Sequence, residues 1–217
     1  MTKEEYRQQF TEDDAVGWLA IDKEFERLYP NQEPQHYGTT IKYMLGGEEP
    51  LDGLSIYESK RQTDHFHIVS YGFTNLYYDE DLAGEEFSNC GFELTFRLKK
   101  INNEKSSDQI WALNLMQNLA KYVFSSNQIF DECHTIDAKG SIRAGYNSNI
   151  KALLFVTDPE LGIVETPHGQ VQFLQIVGLT TKEYEDHKRN QDKNKGIELI
   201  DKIRLLNPLF ITDLDRI

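Results

Sequence analysis

The chain has 217 residues, 39% hydrophobic and 12% aromatic, which is enough to build one core-bearing domain and argues against wholesale disorder. Its 36 acidic residues against 23 basic ones give a formal net charge of −13, a field that repels phosphate backbones and anionic lipid. Nucleic acid and membrane surfaces are therefore not expected partners; a basic protein is, unless the charge serves solubility alone.

The N-terminus, "MTKEEYRQQF", is charged from residue 3 and carries no secretory pattern. No apolar run reaches the roughly 20 residues that span a bilayer. A cytoplasmic setting is expected, with the only two cysteines, Cys90 and Cys133, not joined to each other. Ala15, Trp18, Ile21, Phe25 and Leu28 recur at helical spacing, Thr11 and Asp14 resemble a capping pair before them, and Pro30 stops the run. "TTIKYML" alternates around Ile41, Tyr43 and Leu45 as a short strand would, the glycines of "LGGEEPLDG" give a turn, and "LSIYES" begins another strand.

"HFHIVSYG" sets Phe66, Ile68 and Ser70 opposite His65, His67, Val69 and Tyr71. After an acidic loop, "GFELTFRLKK" alternates strictly: Phe92, Leu94, Phe96 and Leu98 on one face, Glu93, Thr95, Arg97 and Lys99 on the other. That is the period of a strand buried on one side and wet on the other. "QIWALNLMQNLAKYVF" is the strongest helix, apolar enough to pack on a sheet. A loop-rich stretch follows, with a short strand near Cys133–Asp137. "IKALLFVTD" reads as a strand buried on both faces. Pro167–Gly169 turns into a long strand, Thr180 and Glu183 fit a capping box for "KEYEDHKRNQ", and a last helix through Ile197, Ile200, Ile203 and Leu206 ends at Asn207–Pro208. The expected fold class is α+β, a mixed β-sheet covered by helices in a single compact domain, residues 1–217.

Chemical motifs are scarce. His65 and His67 share a strand face and could begin a metal site or serve a hydrolase together with acidic clusters such as Asp79–Asp81, Glu85–Glu86 and Asp213–Asp215. No third ligand stands at motif spacing, and a lone pair of histidines is more often structural. No G-x-S-x-G elbow, phosphate loop or dinucleotide fingerprint occurs, so no catalytic residue, cofactor or metal is expected. A structural subunit of a larger assembly is a third class.

Several stretches, taken in order, resemble the N-terminal domain of the suppressor of fused family: "RLYP", "KYMLGGEEPLDGLSIY", "HFHIVSYGFTNLY", "GFELTFRLKK", "LMQNLAKYVF", "LLFVTDPE", "TPHGQVQFLQIVGLT" and "LFITDLDR". Each block is a core pattern, and their ordered combination from about residue 16 to residue 216 is specific. The resemblance implies a protein-binding domain without catalysis. The family's animal members restrain a transcription factor in Hedgehog signalling by gripping an extended peptide as an added strand between two domains. The second domain has no counterpart in these 217 residues, and short bacterial members have been proposed as immunity proteins that neutralise toxins. By resemblance the binding surface lies at the end of the helix bearing "KYVF" and in the loop and strand after it. The implied contacts are Tyr122, Asp131, Cys133, His134, Ile136 and Asp137; a buried core tyrosine is the alternative for Tyr122. The expected function is capture of a partner, basic and toxin-like, through a sheet edge, by an immunity-type or adaptor protein.

Overall fold

In the computed structural model, which describes residues 1–101, 103–188 and 193–217, the charged N-terminus folds into a helix, α1 (Lys3–Gln9). A capping box starts it: the Glu5 N–H donates to the Thr2 hydroxyl at 3.2 Å, and the Thr2 N–H returns to the Glu5 carboxylate at 2.8 Å. Tyr6, fully buried, ties the helix down through its hydroxyl, 2.7 Å from His168 Nε2. Thr11 and Asp14 do bond each other, but they close a turn; the second helix, α2 (Val16–Leu28), starts two residues after Asp14 with Ala15 as its cap. Its buried side is Ile21, Phe25 and Leu28, as the spacing predicts.

Eight strands follow among the described residues: β1 (Gln35–Gly38), β2 (Gly53–Ser59), β3 (His65–Tyr71), β4 (Phe87–Lys99), β5 (Thr135–Asp137), β6 (Ile150–Thr157), β7 (Ile163–Thr166) and β8 (Gly169–Thr180). They form one sheet in the order β1-β2-β3-β4-β8-β6-β5, with β7 paired to β8. The β4–β8 pair is parallel and the other pairs antiparallel, so the sheet is mixed. Among the described residues three further helices belong to the α+β domain: α3 (Ile110–Ser126), α4 (Thr181–Lys188) and α5 (Lys193–Leu206). Thr180 and Glu183 form the capping box expected for α4; residues 189–191 of that expected helix lie outside the described residues, as does Asn102 in the polar connector before α3. Residues 41–45 are not a strand. A short 3₁₀ turn over Tyr43–Leu45 leaves Ile41, Met44 and Leu45 exposed, because the edge pairing with β2 is taken by 35–38 instead.

Helices cover both faces of the sheet. α3 packs Ala112, Met116 and Ala120 on the face formed by Phe66, Phe96, Phe155 and Ile176. α2 packs Ile21 and Phe25 on the opposite face, against Tyr57, Val69, Tyr71 and Phe173. α5 sets Ile200 and Ile203 over the far end of that opposite face, on Leu154, Val177 and Leu179. This two-sided cover corrects the reading of β4: Glu93, Thr95 and Arg97 are as buried as Phe96, all at 0% exposure.

Candidate functional site

The C-terminal end of α3 carries Tyr122, which is 49% exposed and so not the buried core tyrosine of the alternative reading. Its ring stacks on Phe130, centroids 5.9 Å apart and planes within 10°. Phe130 stacks in turn on Phe155 of β6 at 4.3 Å. Asn127, left-handed at φ 54°, ends the helix by donating its N–H to Val123 O. The hydroxyls of Ser125 and Ser126 donate back to Tyr122 O. An aromatic column rooted in β6, the strand that pairs with β5, therefore holds one open tyrosine face.

The loop that leads into β5 is fixed by hydrogen bonds among its own residues. His134 N–H donates to Asp131 O at 3.1 Å, and Asp131 N–H donates to His134 Nδ1 at 3.1 Å. Glu132 N–H donates to the Asp131 carboxylate. Cys133 is left-handed at φ 69°, half-buried against the α5 side of the sheet, and sends its N–H to Phe155 O at 3.0 Å. Ile136 turns the other way and packs on the α3 core. Asp137 bonds the Lys139 ammonium at 2.8 Å, which with the Lys139 backbone N–H holds its carboxyl below the usual range. The expected residues thus divide: Tyr122 is presented, Asp131 and His134 shape the turn, Cys133 and Ile136 anchor the strand, and Asp137 stands on its edge.

β5 is one end of the sheet. Phe155 N–H donates to His134 O and Ala138 N–H to Lys151 O, both at 3.0 Å, so residues 134, 136 and 138 face β6. By antiparallel alternation, Thr135 and Asp137 direct their N–H and C=O groups to the open side. Thr135 was missed in the sequence, since nothing in "HTID" reveals which alternate residues pair. Phe130 was missed too, although an aromatic between a helix end and a strand is a usable signal.

The histidines are placed elsewhere. His65 and His67 are fully buried. His65 Nδ1 donates to Thr63 O at 2.8 Å. His67 accepts from the Tyr29 hydroxyl at Nδ1, 2.7 Å, and sets Nε2 3.3 Å from Asp158 Oδ2. Burial and the nearby Arg97 guanidinium push His67 down to about 4, so it is neutral near pH 7. Arg97 donates to Asp158 Oδ2 at 2.6 Å, to Gln175 Oε1 at 2.5 Å and to Glu160 at 2.9 Å. Asp158 is held far below the usual carboxylate range, its own burial outweighed by Arg97 and His67. Glu93 accepts from the Ser70 and Thr74 hydroxyls and from the Gly72 and Thr74 amides, yet burial raises it to about 7. Among the described residues no group of three His, Cys, Asp or Glu side chains is disposed to hold a metal. Of the acidic clusters, Asp81 pairs with Lys3, Glu80 with Arg7 and Asp213 with Lys99, while Glu85 and Glu86 are exposed. No described helix is long and apolar enough to cross a membrane.

With this geometry in place, a family model described as suppressor of fused protein matches residues 47–217. The human suppressor of fused homolog is 38% identical over 212 residues, covering 92% of this chain and 43% of that protein. The chain therefore spans less than half the length of that curated relative. A chain of the Sufu–Fu complex crystal structure superposes with a TM-score of 0.82 at 31% identity, over 94% of this chain and 92% of the other. A suppressor of fused homolog from Neisseria gonorrhoeae superposes at 0.59 over 93% and 95%; its 11% identity speaks to fold alone.

Proposed function

Because the chain belongs to the suppressor of fused family, we propose that it is a non-enzymatic domain, residues 1–217 acting as one unit, that captures a protein through the open β5 edge. The observation that carries this reading is the pair of outward backbone donors at Thr135 and Asp137, together with the exposed ring of Tyr122, which stacks through Phe130 on the neighbouring strand β6. A partner segment laid along β5 gains main-chain hydrogen bonds, and the tyrosine supplies an aromatic anchor that the Phe130–Phe155 stack already holds in place. A solved relative was crystallised with a protein, Fu, which supports protein binding as the mode.

The partner is basic, and a toxin neutralised by an immunity-type or adaptor protein in the cytoplasm is the reading that the −13 charge favours. Asp131 and Glu132 place part of that charge next to the edge. No cofactor enters this mechanism. The test begins with co-purification from the native host and continues with calorimetry on the isolated pair. Tyr122→Ala should weaken binding at least tenfold, about 1.4 kcal/mol. Affinity should also fall as salt rises from about 0.05 to 0.5 M. Unchanged affinity under both perturbations, in a variant that is still folded, contradicts the proposal.

A further inference from the structure

The sheet has a second end, β1. Thr39 N–H donates to Asp52 O at 3.0 Å, which with the register Gln35↔Ile56 places residues 35, 37 and 39 toward β2. His36 and Gly38 then turn their N–H and C=O groups outward. None of the four strand residues is charged or proline, so neither charge nor proline guards this edge, and only its four-residue length limits pairing.

A groove flanks this edge on each face. On the α2 face, His36, Ser55 and Tyr57 border a groove of 570 Å³ whose wall carries Asp22, Glu26 and Glu33 against one cation, Lys23. Asp22 is partly engaged, accepting from the Tyr71 hydroxyl at 2.7 Å; Glu26 and Glu33 are exposed. On the α3 face, Tyr37 and Leu54 border a groove of 660 Å³ that Ile41, Ile110 and Leu113 make largely apolar. Its charges are Glu48 and Glu49, the latter paired with Lys121 at 2.9 Å. A strand added outside β1 would send successive side chains alternately into the acidic and the apolar groove.

We infer that β1 is a second docking strip, distinct from β5, that takes an extended peptide in which basic residues alternate with aliphatic ones. A second copy of this chain is a poor occupant, because pairing two edges would bring together two acidic grooves on molecules of charge −13. With β5 engaged at the other end of the sheet, the domain would hold two segments at once.

The experiment is two-dimensional NMR of the ¹⁵N-labelled chain titrated with a capped heptapeptide alternating lysine and valine. Saturable shifts at His36, Gly38 and Thr39 are expected, and a glutamate–valine peptide should leave them unmoved. Gly38→Pro removes an outward donor without touching the β2 ladder and should weaken binding at least tenfold. Gly38→Ala, whose methyl would meet His36 Nε2 at an ordinary 3.5 Å, should bind as the wild type does. Glu26→Lys, on the exposed wall, should weaken binding at least threefold. Asp137→Pro, at the β5 edge, should change nothing, which separates this strip from the site proposed above. Shifts that map to β5, equal binding of the acidic peptide, edge-dependent dimerisation, absence of saturation, or wild-type affinity in both Gly38→Pro and Glu26→Lys would each overturn the inference.

Discussion

Arg97→Ala is the most informative change to the scaffold. The guanidinium is fully buried and gives four hydrogen bonds to Asp158, Glu160 and Gln175. Deleting it strands the equally buried Asp158 carboxylate, which would keep only Thr95, His67 and local backbone N–H groups as partners. Breaking a buried pair from one side costs about 3–5 kcal/mol. Phe96→Ala, one residue away on the opposite face, costs a similar ~3–5 kcal/mol through lost burial and a cavity. For a domain of this size either change should lower the melting temperature by roughly 6–20 °C. Urea denaturation with an unchanged m-value is the assay. Asp158 provides an internal check: its folded-state pKa is depressed, so its contribution is present above the ordinary carboxylate range and lost as pH falls. The penalty of Arg97→Ala should accordingly shrink at low pH, where the stranded carboxyl can take a proton. An Arg97→Ala cost under about 1 kcal/mol, the value typical of wet surface positions, would refute the two-sided burial of β4.

Glu93→Gln tests the other buried acid. With its folded-state pKa raised from 4.5 to about 7, Glu93 favours the folded state fully below pH 4.5, and that contribution is lost as pH rises to 7. The stability of Glu93→Gln relative to wild type should therefore climb by up to about 1.4 kcal/mol per pH unit across that window, measured by denaturation at several pH values; a flat or falling difference contradicts the assignment. Gly17→Ala should destabilise by about 1–3 kcal/mol, although alanine usually improves a helix by up to ~1 kcal/mol, because the new methyl would lie 1.9 Å from Asn75 O; a thermal melt reads the sign. Thr180→Ala should cost about 1 kcal/mol by opening the α4 capping box.

Much of the fold is legible in the residues. The stripe of α2, the apolar run of α3, the doubly buried β6 and the Thr180–Glu183 cap all follow local rules and fold as those rules say. β4 does not. Its alternation of Phe and Leu with Glu, Thr and Arg is the pattern of a wet face, but the polar set is satisfied by Ser70, Thr74, Asp158 and Gln175, which lie 19 to 78 residues away along the chain. Periodicity records which side chains share a face; it carries no information on whether distant polar partners or water will meet them. α1 was hidden for a different reason, since a charged heptamer looks like a tail unless the Thr2–Glu5 box is noticed. At the candidate site, the resemblance led to Tyr122 and the 131–137 segment. The division into outward residues 135 and 137 and inward residue 136 depends on a register with β6 that only the folded chain defines. It also makes Asp137→Pro, rather than a proline at Ile136, the clean way to block the edge.

The most direct test is hydrogen exchange on the chain alone and bound to its native partner, read residue by residue at β5. In the free chain the Thr135 and Asp137 amides face solvent and should exchange quickly, while the Ile136 amide, bonded into the β6 ladder, exchanges slowly. On binding, the Thr135 and Asp137 amides should become protected by at least tenfold, and Asp137→Pro should abolish the complex while Asp137→Ala preserves it. Strong binding that protects other amides and leaves Thr135 and Asp137 at their free rates would contradict capture at this edge.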